Sequence, residues 1–266
     1  MNIFLTNDDG IDSEAFLDFA EALRKGTDHR IFVIAPDSNR SGVSHALTCL
    51  HKALSLRPRG KDTWSCSGSP ADCASVATMG GLGDLSGQAP FKPDLVLAGI
   101  NAGANLGTDL IFSGTAAAAR HAALYGIPSV ALSLAGHQRD FHWGNAIAYS
   151  LEHLEELAAL WREDIFVNVN IPNTVEGPQG MVITFPSLRQ YTDSITIHEG
   201  AEGISCTLQW GDILTEAEEG SDWDAVSRNQ VSVSPVFIHP VVRRDLCAGA
   251  PDHTGAGKRP NPGKRT

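Results

Sequence analysis

The chain has 266 residues, of which 42% are hydrophobic, and carries a formal net charge of −11 at pH 7 with an isoelectric point near 5.3. That length allows one large domain or two small ones, and the apolar content excludes global disorder. The acidic balance argues against a nucleic-acid-coating role, but one local site can still oppose the global field and take a small anion.

Ile3-Phe4-Leu5 reads as a short buried strand that delivers Asn7-Asp8-Asp9-Gly10. Residues 13–25 place Phe16, Phe19, Ala20 and Leu23 at helical spacing, with Asp12 or Ser13 as N-cap and Gly26 just past the end. A second strand is expected over 31–34, a helix over 71–79, and a strand over 94–98. A helix over Thr115–Tyr125 closed by Gly126, a strand over 130–134, a helix over 145–161 and a strand over 166–169 follow. Such alternation predicts βαβ units around a mostly parallel sheet flanked by helices.

From about residue 180 the pattern changes. Short strand-like pieces at 181–185, 194–198 and 204–210 precede an acidic loop at 215–224 and a strand at 230–238. This predicts an antiparallel arm on the α/β core, and exposed hairpins of this kind pair readily with another subunit. The division expected is a catalytic core over 1–180, an arm and C-terminal strand region over 181–245, and a disordered tail over 246–266.

The cysteines are Cys49, Cys66, Cys73, Cys206 and Cys247, with no C-x-x-C pair, which disfavours a disulfide scaffold or zinc ribbon. Reduced thiols, a first strand that leaves no room for a signal peptide, and no apolar run of membrane-spanning length together predict a cytoplasmic protein.

Ligands of an open parallel sheet bind outside the carboxyl ends of its strands. Three polar, glycine-bearing loops fall there: 7–10, 35–42 and 99–107, with Ser113-Gly114-Thr115 soon after at a helix start. Asp8 and Asp9 together exceed what one helix cap requires. Two negative charges would repel a bare phosphate, and a divalent cation resolves that conflict. Oxygen ligands suit Mg²⁺, Mn²⁺ or Ca²⁺, and Ser41 and Asn101 are neutral oxygen donors on the neighbouring loops. Ser113-Gly114-Thr115 reads either as a plain N-cap or as a cap that also binds phosphate on free N–H groups.

Other polar residues carry two readings each. Arg40 can contact phosphate or pair with Asp37. His45, read as lying on the way into a strand, is a general acid or a structural histidine. Asp72 suits the first turn of a helix through the helix dipole. No Ser–His–Asp or Cys–His arrangement stands out, and no nucleophile elbow G-x-S-x-G surrounds a candidate serine.

The segments TNDDGI (6–11), APDSNRSGVSHALT (35–48), GSPADC (68–73), PDLVLAGINAGANLG (93–107) and SGTAAAA (113–119) resemble the SurE family of survival-protein phosphatases. VNVNIP (167–172) and SDWDAVSRNQVSVSP (221–235) continue the resemblance in order, so it spans about residues 1–240. It implies a Rossmann-like core with a swapped C-terminal arm, dimers or tetramers formed through that arm, and hydrolysis of nucleoside 5′- and 3′-monophosphates. It implies one Mg²⁺ or Mn²⁺ per subunit held by Asp8, Asp9, Ser41 and Asn101. Phosphate contacts fall on Asn105, Ser113, Gly114 and Thr115, and Asn39 joins the substrate-binding set. Ser69 stands where the family usually has Thr, Ala116 where Val is common, and Arg189 falls in a loosely matching stretch of the arm.

Asp8 and Asp9 are the expected catalytic pair. Asp8 can serve as general base, as nucleophile, or as a ligand alone. The expected partners are a nucleoside monophosphate and further copies of the chain, with no nucleic acid and no membrane. A haloacid-dehalogenase-type phosphatase is disfavoured because it needs D-x-D, and position 10 is Gly. The alternatives kept are a non-enzymatic nucleotide-binding regulator and a broader phosphatase or exopolyphosphatase.

Overall fold

The computed structural model describes residues 1–87, 92–136, 140–200 and 203–241. In chain order the elements are β1 (Asn2–Thr6), α1 (Glu14–Gly26), β2 (Arg30–Pro36), β3 (Leu56–Gly60), β4 (Thr63–Cys66), α2 (Pro70–Thr78), α3 (Gly81–Ser86) and β5 (Leu95–Ala102). Then come α4 (Gly114–Leu124), β6 (Ser129–Ala135), α5 (Trp143–Glu152), α6 (Leu154–Ala159), β7 (Ile165–Pro172) and β8 (Met181–Ile183). The rest are β9 (Arg189–Tyr191), β10 (Ser194–Gly200), β11 (Gly203–Gln209), β12 (Ile213–Thr215), α7 (Asp222–Ser227) and β13 (Val231–Phe237).

Among the described residues the main sheet has nine strands in the order β3-β4-β2-β1-β5-β6-β7-β13-β8. β1 lies parallel to both β2 and β5, and β5, β6 and β7 continue in parallel. The chain winds outward from β1 in both directions, so a topological switch point falls between β1 and β5. In open parallel sheets ligands bind at such a point, beyond the carboxyl ends of the strands.

Successive residues of β1 point to opposite faces and feed two separate cores. Ile3 and Leu5 pack with Phe16, Phe19 and Leu23 of α1. Phe4 packs on the other face with Cys73, Ala74 and Ala77 of α2 and with Ala116, Ala118 and Ala119 of α4. The alanine side chains let α4 lie close against both α2 and the sheet. Its first turn is thereby carried up to the end of β1.

Several elements differ from the sequence reading. The helix expected over 145–161 is two, α5 and α6, divided at His153. The acidic loop expected over 215–224 ends in α7, where Ser221 Oγ accepts the Asp224 N–H at 3.2 Å. β3 and β4 were not anticipated, because β3 is exposed over Arg57–Gly60 and shows no apolar alternation. His45 does not lead into a strand; it lies in a loop before a 3₁₀ turn at Thr48–Leu50.

In the segment expected to form the arm, β8 and β13 join the main sheet. β13 is antiparallel to β7 and parallel to β8. β10 and β11 form a separate hairpin exposed along its length, and β9 pairs with β12. The tail at 246–266 lies outside the described residues. Among those described, no helix is long and apolar enough to cross a membrane, and Cys49, Cys66, Cys73 and Cys206 are free thiols.

Candidate functional site

The turn after β1 is closed by Asn7. Its Oδ1 accepts the Gly10 N–H at 3.2 Å, and its Nδ2 donates to the Gly10 carbonyl at 3.0 Å. Gly10 has φ +100°, and a Cβ there would sit 3.0 Å from the carbonyl carbon of Ser38. The turn can therefore press against the loop after β2 only with glycine at this point.

Asp8 is 3% exposed. Its Oδ1 accepts the Thr115 hydroxyl at 2.8 Å, and its Oδ2 accepts the Thr115 N–H at 3.2 Å. Gly114 makes room for this, since a Cβ there would lie 3.0 Å from Asp8 Oδ2 and 3.1 Å from Pro70 Cγ. The N-terminus of α4 thus meets the Asp8 carboxylate, with Pro70 of α2 packed beside Gly114. Asp9 is half-buried, and its Oδ2 accepts the Ala102 N–H at 3.2 Å. Burial raises the Asp8 pKa against the lowering effect of the Thr115 bonds. Burial, and then the neighbouring Asp8 charge, push Asp9 up to about 6.

The loop after β2 is tied to this point by the Arg40 N–H, which donates to the Asp8 carbonyl at 2.7 Å. Ser41 follows directly and is exposed. Asn39 Oδ1 accepts the Ser41 N–H at 2.8 Å and so shapes this loop. Arg40 reaches Asp37 Oδ1 at 3.2 Å and the Ser67 carbonyl at 3.4 Å. Arg40 thus makes the Asp37 pair that was one of its two readings.

Asn101 sits at the end of β5, beyond a break in the β5–β6 register between Ala98 and Asn101. At the break Gly99 has φ +126°, and a Cβ there would overlap the Leu132 carbonyl. Asn101 Nδ2 donates to the Gly103 carbonyl at 2.9 Å. Asn105 is 6% exposed. Its N–H donates to Asn170 Oδ1 at 2.8 Å and its Nδ2 to Ser133 Oγ at 2.8 Å. Its carbonyl accepts from Asn168 Nδ2 at 2.9 Å and Asn170 Nδ2 at 3.0 Å. Ser113 is the N-cap of α4, with Oγ accepting the Ala116 N–H at 3.0 Å.

The structure therefore brings the loops bearing Asp8, Asp9, Ser41, Asn101 and Thr115 to one rim at the switch point. Among the described residues, neither Asp8 nor Asp9 forms an ion pair with a Lys, Arg or His. No group of three His, Cys, Asp or Glu side chains converges among them either. Two adjacent carboxylates beside neutral oxygen donors form a donor set that fits a hard divalent cation and not a soft one. The negative charge unmatched by protein cations favours the same ligand.

His45 is not free beside the carboxylates. Its Nε2 meets His121 Nδ1 at 3.0 Å, and His121 Nε2 meets Ser75 Oγ at 2.9 Å, which links the loop to α4 and α2. Burial, then His45, hold His121 down at about 4. Asp72 completes a capping box with Ser69 and also accepts from Thr48 and Cys49. Burial would raise Asp72, but these bonds outweigh it and hold the carboxyl at about 2.

Sequence reading assigned no role to a second set of residues, those through which the arm fastens the 103–113 loop. They are Asp109, Arg189, Tyr191 and Asp222. The motif Ser221-Asp222-Trp223-Asp224 could have revealed the cap of α7, but no local pattern announces partners about 80 to 115 positions apart.

Fold and site together define an α/β protein that gathers its functional groups on the loops after parallel strands, with an acidic pair at the switch point. Residues 3–193 match the family described as Survival protein SurE. The chain belongs to the SurE family. It is 38% identical over 246 residues to the 5′-nucleotidase SurE of Synechococcus sp. (strain JA-3-3Ab), covering 89% of this chain and 91% of that one. It is 37% identical over 247 residues to the 5′-nucleotidase SurE of Geotalea daltonii, covering 90% and 93%. The crystal structure of the SurE protein from Aquifex aeolicus superimposes with a TM-score of 0.76 at 32% identity, covering 93% of this chain and 97% of that one.

Proposed function

We propose that this chain is a metal-dependent phosphomonoesterase that hydrolyses nucleoside 5′-monophosphates, and 3′-monophosphates as well. The relatives named 5′-nucleotidase support the reaction class. The observation that carries the site assignment is the Asp8–Asp9 pair, gathered against the start of α4 without a protein cation among the described residues. Asp8, Asp9, Ser41 and Asn101 would hold one Mg²⁺ or Mn²⁺. Such an ion, when bound, supplies charge neutralisation and Lewis acidity at a phosphoryl oxygen.

The chain's own groups do the rest. Helix α4 presents free N–H groups and its partial positive charge toward the phosphate, with Gly114 keeping the backbone approachable. Asn105 and Ser113 orient the phosphate oxygens as charge redistributes during in-line displacement. Asp8 already engages both carboxylate oxygens with Thr115, which suits a fixed, orienting role. Asp9 has one oxygen held by Ala102 and the other free among the described residues. It is the better placed of the two to accept a proton from the attacking water.

The same reading makes the protein cytoplasmic, consistent with its free thiols. It also makes it a dimer or tetramer through the hairpin β10–β11. Exposed Ile195, Ile197, Ile204 and Leu208 on that hairpin support this. The test of the function is phosphate release from AMP and GMP by chelator-stripped protein, with Mg²⁺ or Mn²⁺ added back. Activity restored by metal is the expected result; binding of the nucleotides without turnover would favour the regulator instead.

A further inference from the structure

The loop 103–113 starts beside Asn101, carries Asn105 and ends at Ser113. It therefore holds both ends of the proposed phosphate site, and beside its bonds to Ser44, Ser133, Asn168 and Asn170 it is fastened at its middle by residues of the arm. The Gly107 N–H donates to Asp222 Oδ2 at 2.7 Å, and the other oxygen of Asp222 accepts the Ser187 N–H at 2.9 Å. Gly107 has φ +50°, and a Cβ there would overlap the Ser187 carbonyl, so loop and arm meet backbone to backbone.

Asp109 is the second fastening. Its Oδ2 accepts the Leu106 N–H at 3.2 Å and also takes the Arg189 guanidinium. Its Oδ1 accepts the Tyr191 hydroxyl at 2.5 Å, and its backbone carbonyl accepts the Ser113 N–H at 3.1 Å. The Arg189 N–H donates to Thr108 Oγ1 at 3.1 Å. Arg189 and Asp109 side chains are only 4% and 16% exposed, and the Tyr191 ring stands edge-on against Phe112 at 5.7 Å.

We infer that Arg189 is a positioning residue for the reaction: acting through Asp109, it fixes the loop that aligns Asn105 and Ser113 on the phosphate. Neither Arg189 nor Tyr191 is bonded to Asp8 or Asp9 among the described residues, so their link to the site runs through Asp109 and the loop. Removing the guanidinium leaves a buried carboxylate uncompensated, and the loop must then shift to let water reach Asp109. Donors displaced in this way lose most where charge is greatest, in the transition state, so kcat falls more than KM rises.

The inference rests on the proposed function for its kinetic consequence, but the loop coupling can be measured without turnover. Backbone hydrogen exchange and steady-state kinetics on AMP with Mn²⁺ are compared in wild type, Arg189→Gln, Arg189→Lys and Tyr191→Phe. Tyr191→Phe removes one hydroxyl and serves where the Arg189 variants fold poorly. Glu163→Gln, on the exposed turn before β7, is the control with unchanged behaviour.

Arg189→Gln should speed exchange across 103–113 at least about tenfold while β1 and β5 stay protected. It should also lower kcat at least about tenfold with KM within about threefold. Arg189→Lys should recover part of both, and Tyr191→Phe should show the same pattern more weakly. Unchanged exchange at 103–113 in folded Arg189→Gln, or exchange rising evenly over the whole chain, would overturn the inference. If wild type releases no phosphate with any metal, the functional reading fails, and the exchange data still decide the coupling.

Discussion

Thr115 donates to both oxygens of Asp8, through its hydroxyl at 2.8 Å and its N–H at 3.2 Å. A residue inside the polar turn after β1 is thereby locked to the first turn of a helix more than a hundred positions on. Burial disfavours the ionised carboxylate, and these two bonds oppose that effect. Thr115→Val keeps the shape and removes the hydroxyl donor. A bond to a charged group contributes about 1.5–3 kcal/mol, so activity at neutral pH should fall about ten- to a hundredfold. Thr115→Ser should retain most of it. Equal kcat/KM in the Val and Ser variants would show that the hydroxyl does not matter.

Asp9 gives a prediction about the metal-free protein. Its carboxyl is raised to about 6 from an ordinary value of 3.8, by burial and then by Asp8. The folded state therefore binds more protons than the unfolded state between those values. Stability of the stripped protein falls as pH rises from about 4 to 6, by up to about 3 kcal/mol. Asp9→Asn should abolish that loss and be the more stable protein at pH 7 without metal. Added Mn²⁺ should raise the melting temperature of wild type but not of the variant. Activity of the variant should drop at least about 10²-fold. Denaturant melts across pH, with and without chelator, check both signs.

His121 acts in the opposite sense. Its folded value of about 4 lies below the ordinary 6.5, because of burial and then His45. The unfolded state binds more protons in that window, so stability falls as pH drops from 6.5 toward 4, again by up to about 3 kcal/mol. His121→Gln should flatten this acid limb whatever its effect on stability at pH 8. A parallel pH profile in wild type and variant would exclude His121 as its source.

Gly99→Ala should be among the most damaging single substitutions. The position has φ +126°, and the added methyl would meet the Leu132 carbonyl, a backbone atom that cannot rotate away. A loss of at least about 3 kcal/mol is expected, seen as a lower unfolding midpoint. Gly126→Ala is the comparison: it also has positive φ but nothing within 4 Å, and it should lose about 1 kcal/mol.

Much of this was legible because it is local. The apolar run of β1 followed by Asp8 and Asp9, the loops after β2 and β5, and the Ser113 cap are all marked within a few residues. The mostly parallel sheet and the meeting of the loops on one rim followed from alternation and the rule for parallel sheets. What escaped lacked a local signature. β3 is exposed along most of its length and shows no period of two, and α7 begins among acidic residues that suit a loop equally well. His45 was legible as two alternatives, and only its contact with His121, 76 positions away, separates them. The Asp109–Arg189 and Asp222–Gly107 contacts span 80 and 115 positions. One sequence gives no sign of such pairings.

The sheet order β7-β13-β8 has a consequence for biogenesis. β13 pairs with β7 through Ser232 and Asn170 on one side and with β8 through Val231 and Met181 on the other. As the polypeptide leaves the ribosome, the strands bearing both aspartates and Asn101 can assemble well before residue 231 appears. Until then the outer edge of β7 has no partner strand on that side. The half-made protein would expose a row of unsatisfied amides next to a site whose 103–113 loop still awaits its fastenings from the arm. Its period of greatest exposure to aggregation is the time needed to translate the arm.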